Sequence, residues 1–208
     1  MDRSRRSESS GARIHILSID KPPPRKRRLF VGIELDDRSR GACAAVAEEL
    51  RKTGFAAKYE APEKLHVTLA FLGFVDPARV DAIAAELMSC AAQSAPFDVT
   101  LDKLGAFPHE RKPRIVYAGA REQGTPFRAL AANVRDRYEA LGFEFSNDPV
   151  AHVTIARVKE SKRPLPLLEF APIPLDVAAL ALFESLPDPA NNTSRYIVTQ
   201  CIALGARD

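Results

Sequence analysis

Two short segments of the chain carry the same chemistry in the same order. His66-Val67-Thr68-Leu69-Ala70 recurs as His152-Val153-Thr154-Ile155-Ala156, 86 positions later (152 − 66). The chain has only four histidines, and two of them stand in this repeated context. Because alternate side chains of a β-strand point to one face, the histidine, threonine and alanine of each segment would share a face. The repeat therefore predicts two strands that each present an imidazole and a hydroxyl.

Two imidazoles on opposite sides of a cleft are suited to acid–base chemistry near neutral pH. Their ordinary pKa of about 6.5 allows one ring to be neutral while the other is protonated. One ring can take a proton from an attacking hydroxyl or water, and the other can give a proton to a departing oxygen. Thr68 and Thr154 can donate hydrogen bonds to phosphate oxygens. We expect His66 and His152 to be catalytic and the threonines to bind phosphate.

A zinc site is the alternative interpretation, since histidine is a common zinc ligand. However, the sequence has no His-Glu-x-x-His motif and no cysteine pair that would complete a ligand set. Cys43, Cys90 and Cys201 are widely spaced in apolar contexts, which indicates small buried side chains rather than disulfides. We expect neither a metal nor another cofactor. His15, near the N-terminus, and His109, in a polar loop, are predicted to lie outside the catalytic set.

The apolar pattern of the chain places the two motifs among strands and three helices. Helices are predicted to begin at Asp36, at Asp76-Pro77 and at Thr125-Pro126, each followed by an apolar stripe at helical spacing. Strands are predicted near residues 29–35, 65–72, 97–104, 114–119, 151–158, 178–185 and 195–202. Helices interspersed with more numerous strands indicate an α+β fold with largely antiparallel pairing. We expect two lobes, each contributing one motif strand to a shared cleft.

The basic charge of the chain is concentrated at its N-terminus. The 208 residues carry a net charge of +3, but residues 1–28 hold nine Lys or Arg against three acids, so the other 180 residues carry −3. We expect residues 1–27 to form a basic, disordered tail, followed by one two-lobed domain at residues 28–208. The basic run at residues 24–28 is interpreted as a nucleic-acid arm, as a solvated linker or as a segment of little importance. A broad electrostatic grip on duplex nucleic acid is not favoured for the domain.

The sequence contains no segment that favours insertion into a membrane. The longest apolar run, Val177–Phe183, is far shorter than the roughly 20 residues that a bilayer requires. Arg5-Arg6 is similar to a twin-arginine signal, but no apolar stretch of the required length follows it. We therefore expect a cytoplasmic protein without a membrane partner. A monomer is the expected oligomeric state.

The two motifs and several other segments resemble the two-histidine (2H) phosphoesterase superfamily. The similarity is to the bacterial RNA 2′,3′-cyclic phosphodiesterase branch, also called 2′-5′ RNA ligase, and it covers about residues 28–202 in order. The segments that carry it are Arg28–Leu35, Leu65–Gly73, Gly105–Pro108, Pro113–Tyr117, His152–Arg157, Leu182–Ser185 and Arg195-Tyr196. The family more often has His-Leu-Thr-Leu where this chain has His-Val-Thr, a change that leaves the reacting groups intact.

The resemblance implies a bilobal fold in which two pseudo-symmetric lobes of antiparallel strands, with outer helices, surround a central cleft. It also implies metal-independent hydrolysis of a terminal RNA 2′,3′-cyclic phosphate to a 2′-phosphate, with RNA ends or nucleotides as partners. Arg157 matches the family's phosphate-contacting arginine, but strict alternation would point it away from His152 unless a twist or bulge intervenes. Phe107 is interpreted either as a side chain that stacks on a base or as a core or loop aromatic.

The resemblance and the repeated motifs together lead to one expected mechanism. His152 activates a water molecule and His66 protonates the departing 3′ oxygen, while Thr68, Thr154 and Arg157 hold the phosphate oxygens. A ribose 5′-hydroxyl in place of water would give ATP-independent 2′-5′ ligation. The alternative from another class is a non-catalytic module that binds RNA ends or nucleotides.

Overall fold

The computed structural model describes residues 25–205, so only the last three residues of the predicted tail fall within it. His15 and Arg5-Arg6 lie outside the described residues. Within residues 25–205, the helices are α1 (Asp37–Lys52), α2 (Val80–Ala92) and α3 (Gly124–Ala140). The strands are β1 (Arg27–Glu34), β2 (Lys58–Tyr59), β3 (His66–Val75), β4 (Phe97–Leu101), β5 (Lys103–Phe107), β6 (Ile115–Gly119), β7 (His152–Arg157), β8 (Ile173–Val177), β9 (Ala179–Asp188) and β10 (Thr193–Ala203).

The helices begin close to the residues whose chemistry predicts a start. Asp36 caps α1, because its carboxylate accepts a hydrogen bond of 2.6 Å from the backbone N–H of Ser39. Asp76 caps a short 3-10 turn, Pro77–Arg79, and α2 follows directly after that turn. After the C-terminal end of α3, Gly142 adopts a φ of 82°, a left-handed conformation that glycine adopts without steric cost.

Antiparallel pairing dominates the fold, as the sequence predicts. Eight strands form one sheet in the order β10-β9-β1-β3-β7-β6-β5, with β2 paired to β7, and β4 pairs with β8 in a small second sheet. The two motif strands β3 and β7 are neighbours at the centre, where Val67 pairs with Val153. The two predicted lobes therefore correspond to the two halves of one sheet, which meet at the motifs.

The two faces of the large sheet have different roles. Val67 and Val153 are fully buried and belong to the main core, which also contains the apolar stripes of α1, α2 and α3. The opposite face, which carries the histidines, has a separate aromatic cluster formed by Phe30 and Phe183, with Tyr196 packed against it. The helices thus support the sheet from behind and leave the histidine face accessible to a ligand.

Both motif strands contain a β-bulge at the same place, directly after the threonine. The extra residue is Leu69 on β3 and Ile155 on β7. A bulge places two residues of one strand opposite one residue of its partner, which changes the alternation beyond it. The expectation that Ala70 and Ala156 share the histidine face is therefore wrong, since they are buried with exposed fractions of 3% and 0%.

The same bulges turn the residue five positions after each histidine towards the histidine face. That residue is Phe71 on β3 and Arg157 on β7. Simple alternation assigns Phe71 to the inner face, but its exposed fraction is 47%. For Arg157 the bulge at Ile155 provides the change of direction that strict alternation lacks, and half of its side chain is exposed.

Gly32 allows β1 to approach the first motif closely. A Cβ at this position would lie 2.4 Å from the backbone carbonyl oxygen of Val67, so the motif strand would have to shift. We expect Gly32→Ala to lower the free energy of unfolding by roughly 1–3 kcal/mol. Gly41→Ala is the matched control, because Gly41 lies on exposed helix surface and an added Cβ there would have no atom within 4 Å. This control should raise the free energy by roughly 0.5–1 kcal/mol.

Urea unfolding of the two variants measures both effects under identical conditions. Equal stabilities of the two variants would contradict the close approach of β1 to β3.

Candidate active site

The first histidine is held from two sides by short hydrogen bonds. Its Nδ1 lies 2.6 Å from the backbone carbonyl oxygen of Lys64, the last residue of a 3-10 turn that precedes β3. Its Nε2 lies 3.0 Å from the hydroxyl oxygen of Thr68. A carbonyl oxygen can only accept a hydrogen bond, so Nδ1 of His66 carries the proton. In this tautomer Nε2 is the free base, and Thr68 donates to it.

The second histidine is oriented in the same way. Nδ1 of His152 lies 2.8 Å from the carbonyl oxygen of Val150, which is again the residue two positions earlier. Nδ1 therefore donates in both rings, and both Nε2 atoms remain available as bases. One local arrangement, repeated in the two halves of the sheet, fixes the tautomer of both candidate catalytic groups.

The strand register brings the four predicted motif residues together. Because Val67 pairs with Val153 in an antiparallel ladder, His66 stands across from Thr154 and Thr68 stands across from His152. The two histidines are then diagonal neighbours, a relation in which Cα atoms are roughly 7–8 Å apart. Thr68 and His152 line one cleft of about 1030 Å³. Each histidine thus has a threonine of its own motif beside it and one of the other motif opposite.

An aromatic wall surrounds the first histidine. The centre of the His66 ring lies 4.8 Å from that of Phe30, 5.2 Å from that of Tyr196 and 5.4 Å from that of Phe183. These three rings come from β1, β9 and β10, so one half of the sheet builds the whole wall. The wall packs against the imidazole, while His66, Phe183 and Tyr196 also line a cavity of about 360 Å³.

A second aromatic pair lies against His152. The ring centres of Phe107 and Tyr117 are each 5.2 Å from that of His152, and 4.6 Å from one another. Gly105 allows this packing, because a Cβ there would lie 2.5 Å from the tyrosine ring. Phe107 also lines the cleft, so it supports the histidine and faces the space available to a ligand. Its contact with a base stays a prediction.

Burial determines the protonation state of both rings. It lowers the pKa of His66 to about 4, and the nearby charge of His152 acts in the same direction. Burial also lowers the pKa of His152, assisted by the charge of Arg157. Hydrogen bonds to the carbonyls of Lys64 and Val150 oppose these shifts without cancelling them. At neutral pH both histidines of the free protein are therefore neutral.

A buried carboxylate holds the candidate phosphate-binding arginine. Glu60 accepts hydrogen bonds from Nε of Arg157 at 2.7 Å and from Nζ of Lys64 at 2.8 Å, and only 9% of its side chain is exposed. Burial would raise the pKa of Glu60, but the hydrogen bonds from the two cations outweigh it and lower the pKa. The two terminal guanidinium nitrogens of Arg157 make no hydrogen bond within residues 25–205. They are therefore donors available to an anionic ligand.

Sequence reasoning did not identify Glu60 and Lys64 as parts of the site. They lie in a short polar stretch before the first motif, where no repeat or apolar period distinguishes them. Lys64 also donates to the hydroxyl of Thr193 at 2.9 Å and lies 5.5 Å from the ring centre of Tyr196. Its backbone thus orients His66 while its side chain connects the turn to β10.

Other sequence-based expectations concern residues outside the site. His109 is exposed in the loop after β5, where its Nδ1 accepts a hydrogen bond from the backbone N–H of Lys112. Cys43 and Cys90 are buried as expected, but the expectation is wrong for Cys201, which is exposed. Cys201 lies on β10, an edge strand of the sheet, where its side chain is exposed in the described part of the chain.

The described part of the chain also lacks two kinds of feature. Among residues 25–205, no three His, Cys, Asp or Glu side chains are grouped so that they could hold a metal ion. None of the helices in this range is long and apolar enough to cross a membrane.

The chain is similar to proteins of one family. The model of the 2′-5′ RNA ligase superfamily matches residues 15–189. The RNA 2′,3′-cyclic phosphodiesterase of Archaeoglobus fulgidus is 37% identical over 132 residues, which cover 64% of this chain and 73% of that protein. The enzyme of the same name from Thermotoga maritima is 28% identical over 166 residues, with coverages of 78% and 88%. A crystal structure from Thermus thermophilus gives a TM-score of 0.72 at 29% identity, covering 87% of this chain and 100% of the other.

The pKa values of the two motif histidines can be measured by NMR titration of their ring nitrogens. We expect both rings to be neutral Nδ1–H tautomers at pH 7, with His66 titrating near pH 4 and His152 below its ordinary value of 6.5. His152→Asn should raise the pKa of His66, because it removes a ring whose protonated form lowers that pKa.

The same shift predicts a pH dependence of stability. His66 is protonated near pH 6.5 in the unfolded chain but only near pH 4 in the folded protein. Its neutral ring therefore contributes fully to the free energy of unfolding above pH 6.5, and this contribution declines as the pH falls towards 4. A pKa of His66 near 6.5 in the folded protein would contradict the burial argument.

Proposed function

The chain belongs to the 2′-5′ RNA ligase superfamily, and we propose that it hydrolyses the 2′,3′-cyclic phosphate at the end of an RNA to a 2′-phosphate. The observation that carries this proposal is the pair of histidines with unprotonated Nε2 atoms, on one face of the sheet and beside two threonines. Such a pair can supply a base on one side of a phosphate and an acid on the other. The names of the curated relatives support the substrate class.

His152 is the proposed general base. Its Nε2 takes a proton from water while the water oxygen forms a bond to phosphorus. The ring then carries a positive charge, which the hydrogen bond from Nδ1 to the carbonyl of Val150 helps to stabilise. Because the carbonyl fixes the ring plane, Nε2 does not have to reorient before the proton is transferred.

His66 is the proposed general acid, and it must gain its proton together with the substrate. Burial holds its pKa at about 4 in the free protein, but a bound phosphate anion favours the protonated ring, and the charge of Glu60 acts in the same direction. As the bond between phosphorus and the 3′ oxygen breaks, Nε2 of His66 gives its proton to that oxygen. The products are a 3′-hydroxyl and a 2′-phosphate.

Protonation of His66 also releases a donor for the substrate. In the free protein the hydroxyl of Thr68 donates to Nε2, which cannot accept once it carries a proton. The hydroxyl is then free to donate to a non-bridging phosphate oxygen. Thr154, from the other motif, and the terminal nitrogens of Arg157 supply further donors, and the charge of the arginine offsets that of the five-coordinate transition state.

A second reaction of the same site is ATP-independent 2′-5′ ligation. The family description and the size of the cleft, about 1030 Å³, favour this candidate, because a ribose 5′-hydroxyl needs more room than a water molecule. The hydroxyl would lose its proton to His152 and attack the same phosphorus atom. RNA concentration then decides between the two acceptors.

Replacement of each motif histidine tests the proposed function directly. We expect His66→Ala and His152→Ala each to lower kcat at least about 100-fold on an RNA that ends in a 2′,3′-cyclic phosphate, because each removes one proton-transfer group. His109→Ala is the control and should leave kcat unchanged, since His109 is exposed outside the site. The assay contains excess EDTA, and the isomer of the product is identified.

Binding without turnover by the unmodified protein would favour a non-catalytic module instead. Loss of activity in EDTA that zinc or manganese restores would contradict the two-histidine mechanism.

A substrate analogue separates the acid from the base. Sulfur in place of the 3′ bridging oxygen gives a thiolate leaving group, which departs without help from an acid. We expect His66→Ala to regain most of its lost activity on this analogue, while His152→Ala stays impaired because water still needs a base. Recovery by His152→Ala instead of His66→Ala would reverse the two assigned roles.

A further inference from the structure

The histidine face of the sheet continues beyond the first motif as an exposed surface. Phe71 and Phe74 on β3 have exposed fractions of 47% and 70%. Phe74 pairs with Arg28 of β1, and the guanidinium carbon of Arg28 lies 4.8 Å from the centre of the Phe71 ring. These three side chains therefore lie on one face. Together with Arg25 and Lys26, which precede β1, we call them the outer strip.

The outer strip is continuous with the proposed catalytic cleft. Phe71 lines that cleft together with Thr68. Phe74 and Arg28 line a neighbouring cavity of about 460 Å³, which Arg25 and Lys26 also line. Phe74 lies six positions after Thr68, a distance of roughly 20 Å along an extended strand. A polymeric ligand that leaves the cleft along β3 would therefore pass over the whole outer strip.

The charges of the outer strip complement a polyanion. Among residues 25–205, the one carboxylate that lines the neighbouring cavity belongs to Glu184, and Arg27 pairs with it at 2.8 Å. Arg28 donates to the neutral hydroxyl of Ser185 at 3.2 Å, so this contact leaves its positive charge uncompensated. Residues 29–208 carry a net charge of −3, so the positive charge at this place is local.

We propose that the outer strip binds the single-stranded RNA nucleotides that precede the terminal cyclic phosphate. This inference rests on the proposed function and names the part of the substrate that lies outside the catalytic cleft. Exposed aromatic rings provide faces on which unpaired bases stack, and cations beside them attract the phosphates. Bases in a duplex are already stacked and paired, so the surface favours a single strand.

Two substrates of different length test the proposal on the full chain. One is a 2′,3′-cyclic mononucleotide, which occupies the cleft alone, and the other is a short unpaired RNA with the same terminal group. We expect Phe74→Ala to raise KM for the RNA about tenfold, the effect of losing one stacked base. For the mononucleotide, kcat and KM should stay unchanged, because Phe74 lies outside the cleft lining.

Salt dependence tests the charges separately. Each cation that contacts a phosphate of a single strand contributes about 0.7 to the slope of log affinity against log salt concentration. The double variant Arg25→Gln/Lys26→Gln should therefore reduce the slope for the RNA by roughly 1.4, without an effect on the mononucleotide. The matched controls are Met88→Ala on α2 and Arg128→Gln on α3, both exposed on helices behind the sheet, and neither should change either substrate.

Two results would overturn the proposal. An unchanged KM for the RNA in Phe74→Ala would show that the outer strip does not bind the strand and leaves another partner, such as a protein, for this surface. An equal loss on both substrates would place the effect in the cleft.

If the unmodified protein hydrolyses neither substrate, the proposed function fails, and fluorescence anisotropy with the hydrolysed, non-cyclic RNA tests the strip alone. Weaker binding by Phe74→Ala would then support the outer strip, and unchanged binding would reject it.

Discussion

A hydrogen bond from Nδ1 of each motif histidine to the carbonyl two residues earlier underlies the rest of the site. The carbonyls of Lys64 and Val150 determine which nitrogen is protonated, and they leave Nε2 of each ring as the unprotonated nitrogen. They also make burial of the rings tolerable, since a buried N–H without a partner is destabilising. Burial of the rings can therefore lower both pKa values without leaving a ring donor unsatisfied.

The two halves of the sheet repeat this arrangement but differ in the residue that stands five positions after each histidine. Both motif strands have a bulge after the threonine, and both turn their fifth residue towards the histidine face. In the first half that residue is Phe71, and in the second it is Arg157. Equivalent backbone positions thus supply an aromatic ring in one half of the sheet and a cation in the other. The backbone of the two motif strands is therefore repeated, whereas the charge that it carries on the histidine face is not.

The sequence was most informative where the same chemistry occurs twice. The repeat identifies His66 and His152, and apolar periodicity locates the three helices, because both signals are local. The apolar pattern does not indicate strand β8, because Pro174 and Asp176 interrupt its apolar residues. The inner or outer direction of Phe71 could not be predicted, because a bulge is a property of the pairing between strands. Glu60 escaped notice for a related reason: its partners lie 4 and 97 positions away along the chain.

Glu60 connects parts of the protein that the sheet itself joins only weakly. Arg157 belongs to the second half of the sheet, whereas Lys64 precedes the central strand of the first, and at the centre the two motif strands pair only at Val67 and Val153. The buried carboxylate of Glu60 therefore links the two halves of the sheet through its two ion pairs. Replacing Lys64 or Arg157 alone leaves the buried negative charge of Glu60 with only one cationic partner, which is destabilising. Substitutions at these three positions should accordingly be tolerated only when all three change together.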